Sequence, residues 1–270
     1  MQRKYLKLGY IVAQFMIKRL FLIGLYCVLM LWLVIYVFEL AFSATQNDSY
    51  WTNIAYFITE SGGTIGSVIG ITIACLLYTI QEDGWKNKLQ VFVKSFVGLA
   101  LIIGMFAAIN EKLTKPVLKL ERPSHKEMLS RMQMESLVDS LYHLSKDERI
   151  AFFGLETEKR AELFKNINPI VLRHWVLEGG YSFPSGHTFN AFLLAMIFAF
   201  GIMHNTHKKH WQKLYPLPLL WATMVGISRV ALGAHSIVDV SVGGLMGVCI
   251  GALLVYLDFT RHLITHKKKV

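Results

Sequence analysis

The chain has 270 residues, 54% of them hydrophobic and only 17% charged, which excludes an ordinary soluble domain and points to several bilayer spans. The formal charge of +10 does not signal nucleic acid, because the basic residues gather at the termini and in short loops without an aromatic-basic RNA-binding motif. Cys27, Cys75 and Cys249 all lie inside apolar runs, as small packing residues rather than disulfide or metal partners.

In chain order, apolar runs at about 20–42, 62–80, 91–110, 188–206, 217–234 and 239–259 each approach the ~20 residues a helix needs to cross a hydrocarbon core. They predict an all-α polytopic membrane protein, one domain over residues 1–270 with six transmembrane helices. Arg3, Lys4, Lys7, Lys18 and Arg19 precede the first run. Ala41-Phe42-Ser43 resembles a signal-peptide cleavage site, but the run is longer than a signal core and its removal would leave five spans, so it is read as a retained helix. The following loop, 43–61, carries Asp48 and Glu60 and no Lys or Arg, as an external loop does. Gly62, Gly63, Gly66 and Gly70 in the second run, and Gly243, Gly244, Gly247 and Gly251 in the sixth, are read as close-packing positions.

The one long extramembrane stretch is residues 111–187, between the third and fourth runs. Met134, Leu137, Val138 and Leu141 follow helical spacing, with Arg131, Glu135 and Asp139 among them, and predict a helix that lies on the membrane or caps the bundle. Trp175, Tyr181 and Phe183 read as interfacial anchors that could also brush a lipid tail. Lys208, Lys209 and Lys213 separate runs four and five, while Arg261 and Lys267, Lys268 and Lys269 follow the sixth. An even number of crossings puts every basic cluster on one side, so both termini are expected in the cytoplasm and 111–187 outside. His204, His207 and His210 are read as exposed in that basic loop rather than as a metal cluster.

Three polar blocks fall at the external helix ends: "KPVLKLERP" with Lys115 and Arg122, "PSGH" at 184–187, and "SRVALGAHSIVD" with Ser228, Arg229, His235 and Asp239. Taken alone, "PSGH" is an ordinary helix start, with proline in the first turn. It can equally be an anion site, because backbone N–H groups at a helix start have no partner within the helix. Together the blocks match K-x6-R-P, P-S-G-H and S-R-x5-H-x3-D, and so resemble the type 2 phosphatidic acid phosphatase superfamily. "RHWVLEGGYSFPSGHTF" is similar to that family's phosphatidylglycerophosphate phosphatase B branch, whose members also hydrolyse undecaprenyl diphosphate.

The residue types suit phosphoryl transfer. Arg122 and Arg229 can each offer a forked pair of donors to phosphate oxygens, and Lys115 a mobile charge. Ser185, with the backbone N–H groups of Ser185, Gly186 and His187, can complete the cradle, and Gly186 lets backbone approach the ligand. Without a bound anion these cations would stand unpaired beside the bilayer. His235 and Asp239 share one face if a helix begins there, so that the carboxylate fixes the imidazole tautomer. Spacing does not say which histidine attacks. The resemblance implies that His235 attacks phosphorus to give a phosphohistidine, and that His187 protonates the leaving oxygen and then activates water. Because three cations neutralise the phosphate, no cofactor or divalent metal is expected. The substrate implied is a membrane lipid phosphate, undecaprenyl diphosphate or phosphatidylglycerophosphate, met at the external face of a bacterial inner membrane, with no nucleic acid or protein partner. A lipid A phosphatase or lipid phosphotransferase could use the same pocket. From another class, an anion transporter could use the cations, although it would need charge along both halves of the membrane.

Overall fold

The computed structural model describes residues 2–37, 50–80, 82–205 and 212–266, with side chains over 14–37, 50–80, 82–204 and 212–257. Ala41-Phe42-Ser43, Asp48, His207, Lys208, Lys209, His210, Lys267, Lys268 and Lys269 lie outside the described residues, and at Arg3, Lys4, Lys7 and Arg261 only the helical backbone is described.

Every regular element among the described residues is helical. The principal ones are α1 (Gln2–Val37), α2 (Tyr50–Ser61), α3 (Thr64–Thr79), α4 (Trp85–Ile109), α5 (Pro123–Arg131), α6 (Lys146–Lys159), α7 (Pro169–Leu177), α8 (Gly186–Asn205), α9 (Leu217–Ala231) and α10 (Ile237–His266). Four stretches are long and apolar enough to cross a membrane: Gln14–Val37, Trp85–Leu118, Gly186–His204 and Ile237–Leu257. The chain is an integral membrane protein of helical class. Six similar crossings were expected, and the helices prove unequal. The second run is not one helix, because α2 and α3 meet at 58° and count as a fifth span only as a bent pair. The fifth run, α9, has 15 residues, a rise of roughly 22 Å against a core of ~30 Å. The loop expected over 43–61 is helical from Tyr50, because its apolar residues pack on α9 and α7.

The bundle is built around α8. Its Phe189, Ala191, Phe192, Leu193, Leu194 and Ala195 are all fully buried, as a helix apolar on every side must be when it lies at the centre. α10 comes close enough to touch its backbone: a Cβ on Gly243 would lie 2.5 Å from the Ser185 carbonyl oxygen, and one on Gly247 2.6 Å from that of Phe189. The glycines of the sixth run are therefore packing positions, as read from the sequence. α4 lies at the edge, with Val93, Val97, Leu101 and Met105 exposed where a bilayer would cover them.

Residues 123–177 form a helical cap with its own core of Met128, Leu129, Leu141, Phe153, Val171 and Trp175. The periodic helix expected through 134–141 is interrupted. Gln133 takes a left-handed conformation (φ 57), and the Met134 N–H bonds back to the Leu129 carbonyl at 2.8 Å, which ends α5 in a Schellman-type turn. A 3₁₀ turn (Glu135–Leu137) and a short helix (Val138–His143) follow, and of the four periodic residues only Leu141 is fully buried. Trp175 is not an interfacial anchor: it is wholly buried and donates its indole N–H to the Leu232 carbonyl at 2.6 Å, which docks the cap onto the end of α9. Tyr181 stacks on Tyr142 at 4.8 Å and donates to the Tyr142 carbonyl, inside the cap.

Gly247→Val is expected to lower the thermal midpoint in detergent micelles by the equivalent of about 1–3 kcal/mol, the usual overpacking cost. Gly98 on α4 has nothing within 4 Å of an added Cβ, so Gly98→Ala should leave the midpoint unchanged or raise it.

Candidate active site

Each motif reaches the site through a local interruption of its helix. Below Lys115, α4 widens into a π-turn over Asn110–Thr114. Pro116 supplies no N–H and crowds the preceding turn, the usual origin of such a distortion. Asn110 within that turn donates to the Pro184 carbonyl at 3.2 Å, tying the first motif to the second. Lys115 is buried and pairs with Glu111 one turn earlier. The chain leaves the helix at Lys119 (φ 49), and Arg122 becomes the residue before α5, with Pro123 at the first helical position. Ser182 then bonds to the Leu120 and Glu121 carbonyls, holding the second motif's approach beside the first.

Ser185 caps α8, accepting from the Thr188 N–H at 3.4 Å. Its own N–H donates to the Asp239 carbonyl at 3.0 Å. The anion cradle expected from three backbone N–H groups is thus reduced to those of Gly186 and His187. The third motif turns between α9 and α10: the N–H groups of Ala234 and His235 both bond to the Arg229 carbonyl, at 3.0 and 3.2 Å. Ser236, which left the His235–Asp239 geometry open in the sequence, is the cap of α10. Its N–H donates to Asp239 Oδ2 at 2.7 Å, and its hydroxyl accepts from the Asp239 N–H at 3.2 Å, a reciprocal capping box.

At the centre stands a group that the motif analysis did not single out. Glu178, just beyond α7, takes Arg122 Nη1 on one carboxylate oxygen and Arg229 Nη2 on the other. Arg122 also donates from Nε to the Gly180 carbonyl at 2.8 Å and from Nη1 to that of Ala234 at 2.9 Å. The cations are therefore not unpaired without a ligand, as the sequence suggested: Glu178 serves both arginines and Glu111 serves Lys115. The only signal for Glu178 was its place as the sole acidic residue in "RHWVLEGGYSFPSGHTF", and for Glu111 its position four residues before Lys115.

The histidine tautomers follow from their arginine neighbours, since a guanidinium can only donate. Arg122 Nη1 lies 3.3 Å from His235 Nε2, so Nε2 carries the lone pair and Nδ1 the proton. Nδ1 faces Asp239 Oδ2 at 3.4 Å, a close contact short of a well-aligned hydrogen bond. A third histidine, missed in the sequence, is His174 on α7. Its Nε2 accepts from Arg229 Nη1 at 2.9 Å, which leaves Nδ1–H toward Glu60 Oε1 at 3.7 Å. His187 lies within electrostatic reach of Glu178 and His235. The structure thus brings His235, Asp239, His187, Arg122, Arg229, Ser185 and Gly186 to one end of the bundle, with Lys115 alongside. No cluster of three or more His, Cys, Asp or Glu side chains with metal-site geometry occurs among the described residues.

The sequence pattern of the PAP2 superfamily matches residues 95–263, a stretch that contains all three motifs. The chain belongs to the PAP2 superfamily. Phosphatidylglycerophosphatase B of Haemophilus influenzae is 29% identical over 252 residues, 88% of this chain and 95% of that protein. Phosphatidylglycerophosphatase B of Escherichia coli K12 is 28% identical over 226 residues, 78% of this chain and 77% of that protein. The Bacillus subtilis protein of the same name is 38% identical over 84 residues, 30% of this chain and 39% of its own length. Together with the apolar helices, these likenesses make this PAP2 member a membrane lipid phosphatase, a phosphoric ester hydrolase acting on lipid phosphate.

Protonation states in this PAP2 site follow from burial. Burial, helped by Arg122, pushes His235 down to about 3, and burial pushes His174 down to about 4 despite Glu178. In the cap, burial with Arg122 and Arg149 pushes His125 down to about 3. Burial alone would raise the Glu178 carboxyl, but Arg122 and Arg229 hold it well below the usual range. The histidines are neutral when folded and take up protons near pH 6.5 when unfolded. Their stabilisation is therefore complete above pH 6.5 and lost as pH falls from 6.5 toward 4; Glu178 adds to the loss only below about 4.5. Thermal melts in micelles should show the midpoint falling across that window, with a linkage slope on the order of three protons, each about 1.4 kcal/mol per pH unit.

Proposed function

We propose that the chain hydrolyses the phosphomonoester or diphosphate of a membrane lipid through a phosphohistidine on His235, releasing inorganic phosphate on the external face. The observation that carries this reading is the convergence of Arg122 and Arg229 on the two oxygens of one carboxylate, Glu178. Two guanidinium groups from separate elements are already arranged around a single anion. A phosphoryl group arriving there would meet them, Lys115 and the N–H groups of Gly186 and His187. Three cations can balance the phosphate charge, so the reaction as read here requires no metal.

The nucleophile is His235 Nε2, whose lone pair Arg122 now faces at 3.3 Å. Substrate draws that donor onto a phosphate oxygen and exposes the nitrogen. Attack forms a P–N bond and breaks the P–O bond to the lipid, while His187, protonated as the anionic substrate enters beside it, gives its proton to the departing oxygen. Asp239 opposite Nδ1 favours the cationic ring of the phosphohistidine. His187, now neutral, takes a proton from water; the oxygen attacks phosphorus, the P–N bond breaks, and phosphate leaves with His235 restored.

Sidedness is supported by the two ends of α9. Near its start, the guanidinium of Arg19 sits 5.4 Å over the Tyr215 ring, placing the basic flank of α1 beside the loop that carries Lys213. Arg229 lies at the other end of the same helix, so the basic face and the site are opposite. The charge rule then makes the basic face cytoplasmic, with both termini, in a bacterial inner membrane crossed six times. The names of the relatives favour phosphatidylglycerophosphate as substrate, and an isoprenoid diphosphate such as undecaprenyl diphosphate offers the same terminal phosphoryl group.

Purified protein should release phosphate from a panel of glycerolipid phosphate, isoprenyl diphosphate and lipid A, and should continue to do so in excess EDTA. His235→Ala should elute as folded protein and lose about 10³-fold or more of this activity. Near-normal turnover by that variant would remove the nucleophile. Phosphate found on an acceptor instead of in solution would make the chain a transferase.

A further inference from the structure

We propose that residues 59–63, the break between α2 and α3, are a fourth block of the catalytic site, whose task is to hold the His187 ring in position for proton transfer. This rests on the acid–base role given to His187 above. The segment lies outside the 95–263 stretch matched by the family, and its glycines read from the sequence as packing alone.

The structure ties this short segment to three elements of the site. Thr59, wholly buried, lies 2.7 Å from the Ser228 hydroxyl, next to Arg229 in the third motif. Ser228 spends its own proton on the Val225 carbonyl at 2.7 Å, so Thr59 is the donor between the two hydroxyls. The Trp221 indole N–H reaches Ser61 at 2.8 Å. Glu60 faces His174, the ring that accepts from Arg229. Beyond the break, Asn190 of α8 donates to Ser67 of α3 at 3.3 Å, pinning the start of α3 one turn above His187.

Within this frame the two glycines sit on His187 itself. A Cβ on Gly63 would lie 3.1 Å from His187 Nε2 and 3.5 Å from its Cδ2; one on Gly62 would lie 3.3 Å from the His187 carbonyl oxygen and 2.6 Å from Val225 Cγ1. Gly63 has φ −75 and ψ −166, a conformation open to any residue, so its own backbone does not demand glycine. The demand comes from the imidazole beside it. No hydrogen bond to the His187 ring forms among the described residues. His235 and His174 are each fixed by an arginine, whereas His187 is located by packing, and Gly63 supplies that contact at the nitrogen facing it. A displacement of a few tenths of an ångström there alters the distance over which a proton is handed to the leaving oxygen.

The test separates positioning of an acid from general damage through the leaving group. Wild type, Gly63→Ala, Thr59→Val, Thr59→Ser and His187→Ala are assayed in micelles on a long-chain alkyl phosphate and on a nitrophenyl phosphate carrying a similar chain. An alkoxide needs its proton as it departs, whereas a nitrophenolate does not, and kcat/KM reports that step apart from the later water attack, in which His187 acts on both esters alike. Gly63→Ala and Thr59→Val should lower kcat/KM on the alkyl ester by about 10–100-fold, with much smaller losses of kcat/KM on the aryl ester. Thr59→Ser, which keeps the donor to Ser228, should restore the alkyl rate. The Thr59 pair keeps the question open to refutation should Gly63→Ala fail to fold. Equal losses on both esters, or none, for Gly63→Ala and Thr59→Val would overturn the proposal while leaving His187 as the acid. Equal losses for His187→Ala would remove its acid role, and the proposal with it.

Discussion

The site depends on one ionic cluster, the carboxylate of Glu178 held between Arg122 and Arg229. Arg229 is fully buried and Arg122 nearly so. Two guanidinium groups desolvated this close together would repel strongly without an anion between them. Glu178 removes that repulsion and joins three parts of the chain: Arg122 ahead of α5, Arg229 at the end of α9, and α7 through Glu178 itself. The same cluster seats the cap, since Trp175 on α7 docks on Leu232, three residues beyond Arg229. Cap and bundle therefore meet beside the arginine pair.

Neutral imidazoles are the second consequence. With two arginines held in a buried space, a protonated histidine beside them is disfavoured twice, by desolvation and by like charge. His235 and His174 accordingly keep a lone pair toward guanidinium and a proton toward a carboxylate, Asp239 and Glu60 respectively. A nitrogen lone pair is thereby available without a base to deprotonate it, as the nucleophile proposed for His235 requires. His187 stands apart, with its ring against the bare backbone of Gly63 rather than in the grip of an arginine. His235 and His187, the proposed nucleophile and acid, are held by different physical means, one by electrostatics and one by close packing.

Much of this was legible beforehand, for identifiable reasons. The bundle could be read from the apolar runs because a bilayer asks the same thing of every crossing. Residue spacing singled out Lys115, Arg122, Arg229, His235 and Asp239, which the fold brings to one end of the bundle, because each motif is short and local. The glycines of α10 were readable as packing because they recur on one helical face. The helix expected through 134–141 failed because a left-handed residue at Gln133 closes α5, and no glycine or proline there announced it. Trp175 was misplaced because an aromatic residue near a membrane end looks the same whether it anchors in headgroups or plugs a protein core.

By itself, the sequence determined the helical class, the order of the elements, the three polar motifs and the concentration of positive charge. These properties depend on composition and on residues close along the chain. Only the tertiary structure decided what neutralises the arginines, which nitrogen of His235 and His174 carries the proton, and that the packing of the glycine pair in the second run is against His187. Each of those depends on groups brought together from distant segments, and linear spacing contains no information about which side chain will stand opposite another once the helices pack.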